Sequence, residues 1–179
     1  MKKYLNRMKP VEKSPPGVSH KIIFWSWLGS FLGISAVTFI NYNLISQTDL
    51  VMLIGSFGAS AVLIYGAVQS PLAQPRNLMG GHFISALIGV ACFKIIGSIP
   101  WFSAGLAVSS SIAVMHYLRC LHPPGGATAL IAVIGSEKIH ALGYLYAFIP
   151  AALGALIMLV IALLVNNLTE DQKYPKYWI

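Results

Sequence analysis

His122-Pro123-Pro124-Gly125-Gly126-Ala127-Thr128-Ala129-Leu130 lies between two runs apolar enough for a bilayer. It sets two residues without a backbone donor beside two with the widest conformational freedom. His122 is pushed toward extended geometry by the proline after it. At bilayer depth such a stretch must be packed inside protein or line a cavity, because lipid cannot satisfy free N–H and C=O groups. The stretch therefore predicts a break in the membrane-embedded part, with a helix starting near Gly126 and its first N–H groups open.

Outward from that break the chain alternates apolar runs with short polar turns. Residues 22–41 form a first run without a charge, about the 20 residues that a spanning helix needs. A second run, 50–69, carries Gly55-Ser56-Phe57-Gly58-Ala59-Ser60 in its middle. Residues 70–81, with Pro71, Pro75, Arg76 and Asn77, read as a loop. Further runs follow at 82–99 (containing Lys94), 101–118, a short piece at 127–135, and 141–165. The chain of 179 residues is 56% hydrophobic and 9% charged. Soluble domains carry about 25% charged residues, so this chain lacks the polar surface of a soluble fold. The expectation is an all-α, multi-pass integral membrane protein.

The net charge of +7 does not point to nucleic acid. Lys2, Lys3, Arg7, Lys9, Lys13 and Lys21 all precede or open the first run, where they read as a cytoplasmic topology signal able to touch anionic headgroups. With the N terminus inside, Arg76 and Arg119 also fall on the cytoplasmic side, and the chargeless turns near Asn43 and Gly97 fall outside. Six crossings fit this pattern best; four or five, with 127–135 re-entrant, also satisfy it. The expected organisation is a basic cytoplasmic tail at 1–21, flexible or surface-lying, a transmembrane domain at 22–165, and a C-terminal tail at 166–179. A bacterial inner membrane is the expected location. No small-residue cleavage site follows the first run, so a retained span is expected rather than a signal peptide.

An internal echo supports six. Gly58-Ala59-Ser60-Ala61-Val62-Leu63-Ile64 resembles Gly126-Ala127-Thr128-Ala129-Leu130-Ile131-Ala132, and Ser85-Ala86-Leu87-Ile88-Gly89 resembles Ala151-Ala152-Leu153-Gly154. Three-helix halves at about 22–99 and 100–165 would lie in the membrane with opposite orientation, two broken or half helices meeting near the midplane. The competing reading is that small-residue helices look alike because packing in lipid favours small residues.

Two opposed helix N-termini with Ser56, Gly58, Ser60, Gly125, Gly126 and Thr128 would offer donors and positive potential to a small anion without a fixed cation. His122 would donate to the anion, carry a proton, or only cap a carbonyl. His82 and Asn77 lie near the inner mouth, where Arg76 would attract anions or simply mark the inner side. Lys94 is expected to snorkel, His116 to pack, and Cys92 and Cys120 to be packing residues. No Asp or Glu occurs between Asp49 and Glu137, which removes paired-carboxylate catalysis, carboxylate-bound metals and the usual cation-coupling sites from the core. No enzyme motif is present, and no cofactor is expected. The alternatives are a structural or sensory membrane protein without flux, and a haem protein ligated by His82, His116 or His122.

Gly55-Ser56-Phe57-Gly58-Ala59-Ser60, Ser70-Pro71-Leu72-Ala73-Gln74-Pro75-Arg76-Asn77, Gly80-Gly81-His82 and His122-Pro123-Pro124-Gly125-Gly126-Ala127-Thr128-Ala129 resemble the HPP family of integral membrane proteins. The resemblance runs from about Ile22 to Val165. It implies about four spanning helices, fewer than six. Some members, in cyanobacteria and chloroplasts, are associated with nitrite transport, so the resemblance implies nitrite as the leading substrate. Some relatives carry regulatory domains after the membrane part; none is expected within these 179 residues. A homo-oligomer is expected, through the Gly/Ala-rich face of the last span.

Overall fold

The computed structural model describes residues 2–8, 10, 14 and 16–179. Of the basic tail, Lys9 and Lys13 lie outside the described residues. Residues Lys2–Asn6 form a short helix, α1, and no strand occurs among the described residues.

Helix α2, His20–Phe39, opens with the Ser19 hydroxyl accepting from the Ile22 N–H at 3.3 Å and continues with π geometry through Leu44. Gly29, Gly33 and Val37 recur every fourth residue and form its only buried stripe. Phe24, Trp27, Phe31 and Phe39 are exposed on the remainder, a lipid-type surface. The stripe is small because the Tyr65 ring lies in it: a Cβ at Gly29 would stand 2.6 Å from Tyr65 Cδ1, and one at Gly33 would overlap the hydroxyl. That hydroxyl donates to the Met158 carbonyl at 3.0 Å, tying α2 to the last helix. Tyr65→Phe is expected to lower stability by about 1 kcal/mol, the ordinary worth of one buried hydrogen bond. Thermal unfolding in detergent checks it; an unchanged transition would make this bond incidental.

After a turn in which Asn41 accepts from the N–H groups of Met52 and Leu53, residues 51–54 carry no regular secondary structure. Helix α3, Ser56–Ala61, then continues with π geometry to Gly66. Ser70 and Pro71 begin a tight turn through Ala73, held by Gln74 donating to the carbonyls of Val68 and Ser70. Helix α4, Pro75–Ile96, follows, then α5, Pro100–Tyr117. Helix α6 spans Pro123–Ile134 and α7 Glu137–Leu142. Gly143 turns the chain at φ 50, in the left-handed region, and irregular helical turns lead into α8, Leu153–Val165.

Among the described residues, three stretches are long and apolar enough to cross a membrane: His20–Leu44, Pro75–Ile96 and Glu137–Val165. Ser56–Gly66 and Pro123–Ile134 are apolar but short, about 16–18 Å at 1.5 Å per residue. A hydrocarbon core is about 30 Å thick, so these two helices must meet other protein rather than span alone.

Four expectations need correction. The second apolar run is not helical at its start and becomes helical only from Ser56, because the N–H groups of Met52 and Leu53 are taken by the Asn41 side chain. The loop at 70–81 ends early, since Pro75 sits at the first helical position, where a missing donor costs nothing. Likewise α6 starts at Pro123 rather than near Gly126: both prolines occupy its first turn, and the break itself is residues 118–122. The last run is not one straight helix, since Ile149 is non-helical at φ −131 and ψ 116.

Contacts sort the turns into two ends. At one, Lys21 pairs with Asp171 at 2.8 Å. There the tail also reaches the 71–74 turn: Tyr174 donates to the Ala73 carbonyl, Tyr177 to that of Pro71, and the Lys176 N–H to Gln74. The hydrogen bond from Lys21 holds the Asp171 carboxyl below its usual range, and burial raises the Tyr174 phenol above its own. At the opposite end, His140 stacks on Phe93 with centroids 3.8 Å apart, and Lys94 lies 5.8 Å from the Tyr144 ring.

Candidate functional site

Helices α3 and α6 pass each other antiparallel, with α4 laid against both. Ser56, at the start of α3, meets Thr128 in the middle of α6 at 2.9 Å. Ser60, one turn later, meets His122 at the N-cap of α6 at 2.9 Å. His82 of α4 bridges the pair, its Nε2 at 2.7 Å from Ser60 Oγ and its Nδ1 at 2.7 Å from Thr128 Oγ1. All five side chains are buried. The expectation of two N-termini facing head to head is thus corrected: the helices overlap side by side, and their openings lie at opposite ends of the cluster.

The helices reach this distance because glycine removes side chains where backbones meet. A Cβ on Gly81 would overlap that of His122, and one on Gly125 would stand 2.7 Å from the Gly81 carbonyl and 2.8 Å from Ser85 Oγ. Phe57 presents its edge to His82 at 5.3 Å between centroids, and its far end occupies the notch left by Gly154 of α8. Tyr146 donates to the Thr128 carbonyl at 3.0 Å.

Partners dictate the tautomers. His122 Nδ1 lies 2.9 Å from the Leu72 carbonyl, which only accepts, so Nδ1 carries the proton and Nε2 of the neutral ring accepts. Ser60 then donates its single proton to His122 and must accept at its oxygen from His82 Nε2–H. His82 Nδ1 accepts from Thr128; with its single proton so used, Thr128 Oγ1 can only accept from the Ser56 hydroxyl 2.9 Å away. The bonds run in one direction, Ser56 to Thr128 to His82 to Ser60 to His122 to the Leu72 carbonyl. Each proton in the chain is engaged.

The other expected site residues lie outside this chain. Gly58 is exposed with nothing within 4 Å of a built Cβ, because α3 turns that face away from α6. Gly126 faces Val108 of α5 instead. Gly125 is a packing contact rather than a donor to an open site, since its N–H already bonds the His122 carbonyl. Arg76 donates to the Leu118 carbonyl and Asn77 to that of Leu121, both at 2.8 Å, so they staple α4 to the break before α6. His116 is exposed on α5. The ring nitrogens of His82 and His122 are all taken by hydrogen bonds within the protein, leaving no lone pair for a haem iron. The small-residue face of the last span is not free for a partner copy: Gly154, Ala155 and Ala162 are buried within the chain. Sequence reasoning missed Phe57, Tyr146 and the Leu72 carbonyl. An isolated Tyr in an apolar run signals a buried hydroxyl seeking a partner, whereas a backbone carbonyl leaves no trace in sequence.

The model of the HPP transmembrane region matches residues 15–175. The chain belongs to the HPP transmembrane family. A transmembrane protein of Dictyostelium discoideum is 44% identical over 98% of this chain and 57% of its own length. A second from the same organism is 47% identical over 99% of this chain and 62% of its own length. The chain thus spans about three fifths of the length of these relatives. No solved structure matches it. The His-Pro-Pro segment sits at the buried crossing, supplying His122 as a cluster member and two prolines as the start of α6.

Proposed function

We propose that the chain carries a small inorganic anion across the membrane, nitrite first among candidates, through a gate formed by Ser56, Ser60, His82, His122 and Thr128. The observation that supports this most is a fully buried crossing of five hydrogen-bonding side chains inside a membrane protein. Polar and ionisable groups at that depth are costly and accompany pathways and relays. The stretch from Asp49 to Glu137 has no carboxylate between its ends, so the cluster favours anions over cations.

In this reading the chain passes six times between its two ends, α3 and α6 being the equivalent short helices of two inverted halves. Ser60 and Thr128, equivalent in the internal echo, then flank His82 from opposite sides. Lys21, Arg76 and Arg119 share the end held by the tail, which becomes the cytoplasmic end by the positive-inside bias. A homo-oligomer would form through the exposed apolar groove between α5 and α6, lined by Val108, Ile112, Ala127 and Leu130.

The test is nitrite uptake into sealed vesicles holding the purified protein, with nitrate, chloride and formate as competitors. Thr128→Val keeps the shape and removes the donor to His82; it is expected to cut saturable uptake at least about tenfold, the scale of one or two lost hydrogen bonds. The closed set of bonds favours a second reading, in which the cluster is a structural lock in a non-transporting protein. Absence of protein-dependent anion flux would establish that reading instead.

A further inference from the structure

We propose that each anion crosses together with about one proton taken up by the His82–His122 pair, so that transport is electroneutral symport. This rests on the anion reading above and adds its coupling. The directed chain has no spare donor: Ser56, Thr128, His82, Ser60 and His122 each give their proton to the next member or to the Leu72 carbonyl. An anion therefore finds nothing to bind unless a bond is broken without replacement or a proton is added.

Adding one resolves the conflict. A proton arriving at His82 Nδ1 turns Thr128 from donor to acceptor of that ring. The freed Thr128 hydroxyl proton then points elsewhere, and the Pro124 carbonyl at 3.3 Å is a weak alternative. The imidazolium now holds N–H on both nitrogens and one positive charge, which a monovalent anion neutralises. The charge can then move on: His82 Nε2 passes its proton to Ser60, and Ser60 passes its own to His122 Nε2. His82 is left neutral with its proton on Nδ1, Ser60 keeps one proton, and His122 carries two until it gives one to the departing anion, which leaves as the neutral acid, or to water on the exit side. Ser60 is the only member in contact with both rings, whose centroids lie 5.1 Å apart.

Among the described residues, none near the pair supplies a competing charge. From α4, Arg76 is directed to the Leu118 carbonyl. From α3 and its continuation, Tyr65 is the titratable group, and its hydroxyl is engaged by Met158. Tyr146 contacts only the Thr128 carbonyl through its hydroxyl, and Cys120, after α5, packs against Gly80. Asp49 and Glu137 line a surface pocket at the far end, and Asp171 pairs with Lys21 in the tail.

The experiment uses the full chain in vesicles with a pH-sensitive dye inside, equal starting pH on both sides, and potassium with valinomycin to set the membrane potential. An inward nitrite gradient is applied, and the signal of protein-free vesicles, which includes permeation of nitrous acid, is subtracted. The expected result is interior acidification matching nitrite entry at about one proton per anion, unchanged by the imposed potential. Ser60→Ala is expected to lower proton and nitrite entry together by at least about tenfold, the scale of a positioned proton-transfer group; the exposed His116→Ala should change neither. Nitrite entry that follows the potential without acidification would overturn the coupling and leave the anion reading standing. No protein-dependent nitrite entry or nitrite–nitrite exchange would overturn both. The wild-type ratio decides between these outcomes even where a variant fails to fold.

Discussion

Alanine in place of His82 is expected to lower anion flux at least about a hundredfold and stability by about 2–4 kcal/mol. The ring is fully buried and touches members of the cluster on every side: Ser60 at Nε2, Thr128 at Nδ1, Phe57 and His122 at its faces. Its removal leaves a void among α3, α4 and α6 and two hydroxyls without their partner. A buried unpaired hydroxyl costs about 1–3 kcal/mol in a soluble core, but polar pairs inside membrane proteins average nearer 0.6 kcal/mol, since the unfolded chain in lipid also finds partners. The void is therefore the larger share of the stability loss, and the broken chain is the whole of the flux loss. Thermal unfolding in detergent and vesicle uptake measure the two separately. His82→Gln, which fills more of the space but cannot take up a proton, should recover part of the stability and none of the flux. Normal flux in His82→Ala would remove the cluster from the pathway.

Gly89→Ala should destabilise the protein by about 2–3 kcal/mol, as overpacking of a rigid contact does. A Cβ there would stand 2.6 Å from the Ala129 carbonyl oxygen and 2.8 Å from Ala129 Cα, so backbone rather than a movable side chain is in the way. Relief requires α4 and α6 to separate, which also pulls His82 from Thr128; flux should fall with stability. Gly105→Ala in α5 is the internal control. Its Cβ meets nothing within 4 Å, and alanine is favoured over glycine in a helix by about 1 kcal/mol. The same chemical change is thus expected to have opposite signs at the two positions. Equal effects on the unfolding midpoint would mean that α4 and α6 are not in backbone contact.

The apolar runs, the carboxylate-free core and the Pro-Pro break were legible in the amino-acid order, because hydropathy and backbone restriction act locally. They identified a helical membrane protein with a break near His122, and they picked out Ser56, Ser60, His82, His122 and Thr128 individually; the stretch at 55–60, read as a second break, is instead the start of regular helix α3. Where a helix begins was less legible. Proline forbids a donor but not a helical dihedral, so Pro75, Pro123 and Pro124 open helices that local reasoning had treated as loop. Arg76 and Asn77 looked like the mouth of a pathway, yet the carbonyls they satisfy lie more than forty positions along the chain.

What the sequence determined by itself was the solvent of each segment and the neighbourhood of the break before α6, since both follow from neighbouring residues. Only the tertiary structure decided that five separated polar side chains form one directed chain, and that Gly58 and Gly126 stand outside it. That depends on α3 and α6 crossing antiparallel over α4 at a distance set by Gly81, Gly89 and Gly125. Hydrogen bonds act over about 3 Å, so residues twenty to seventy positions apart become partners only when packing has brought their backbones together.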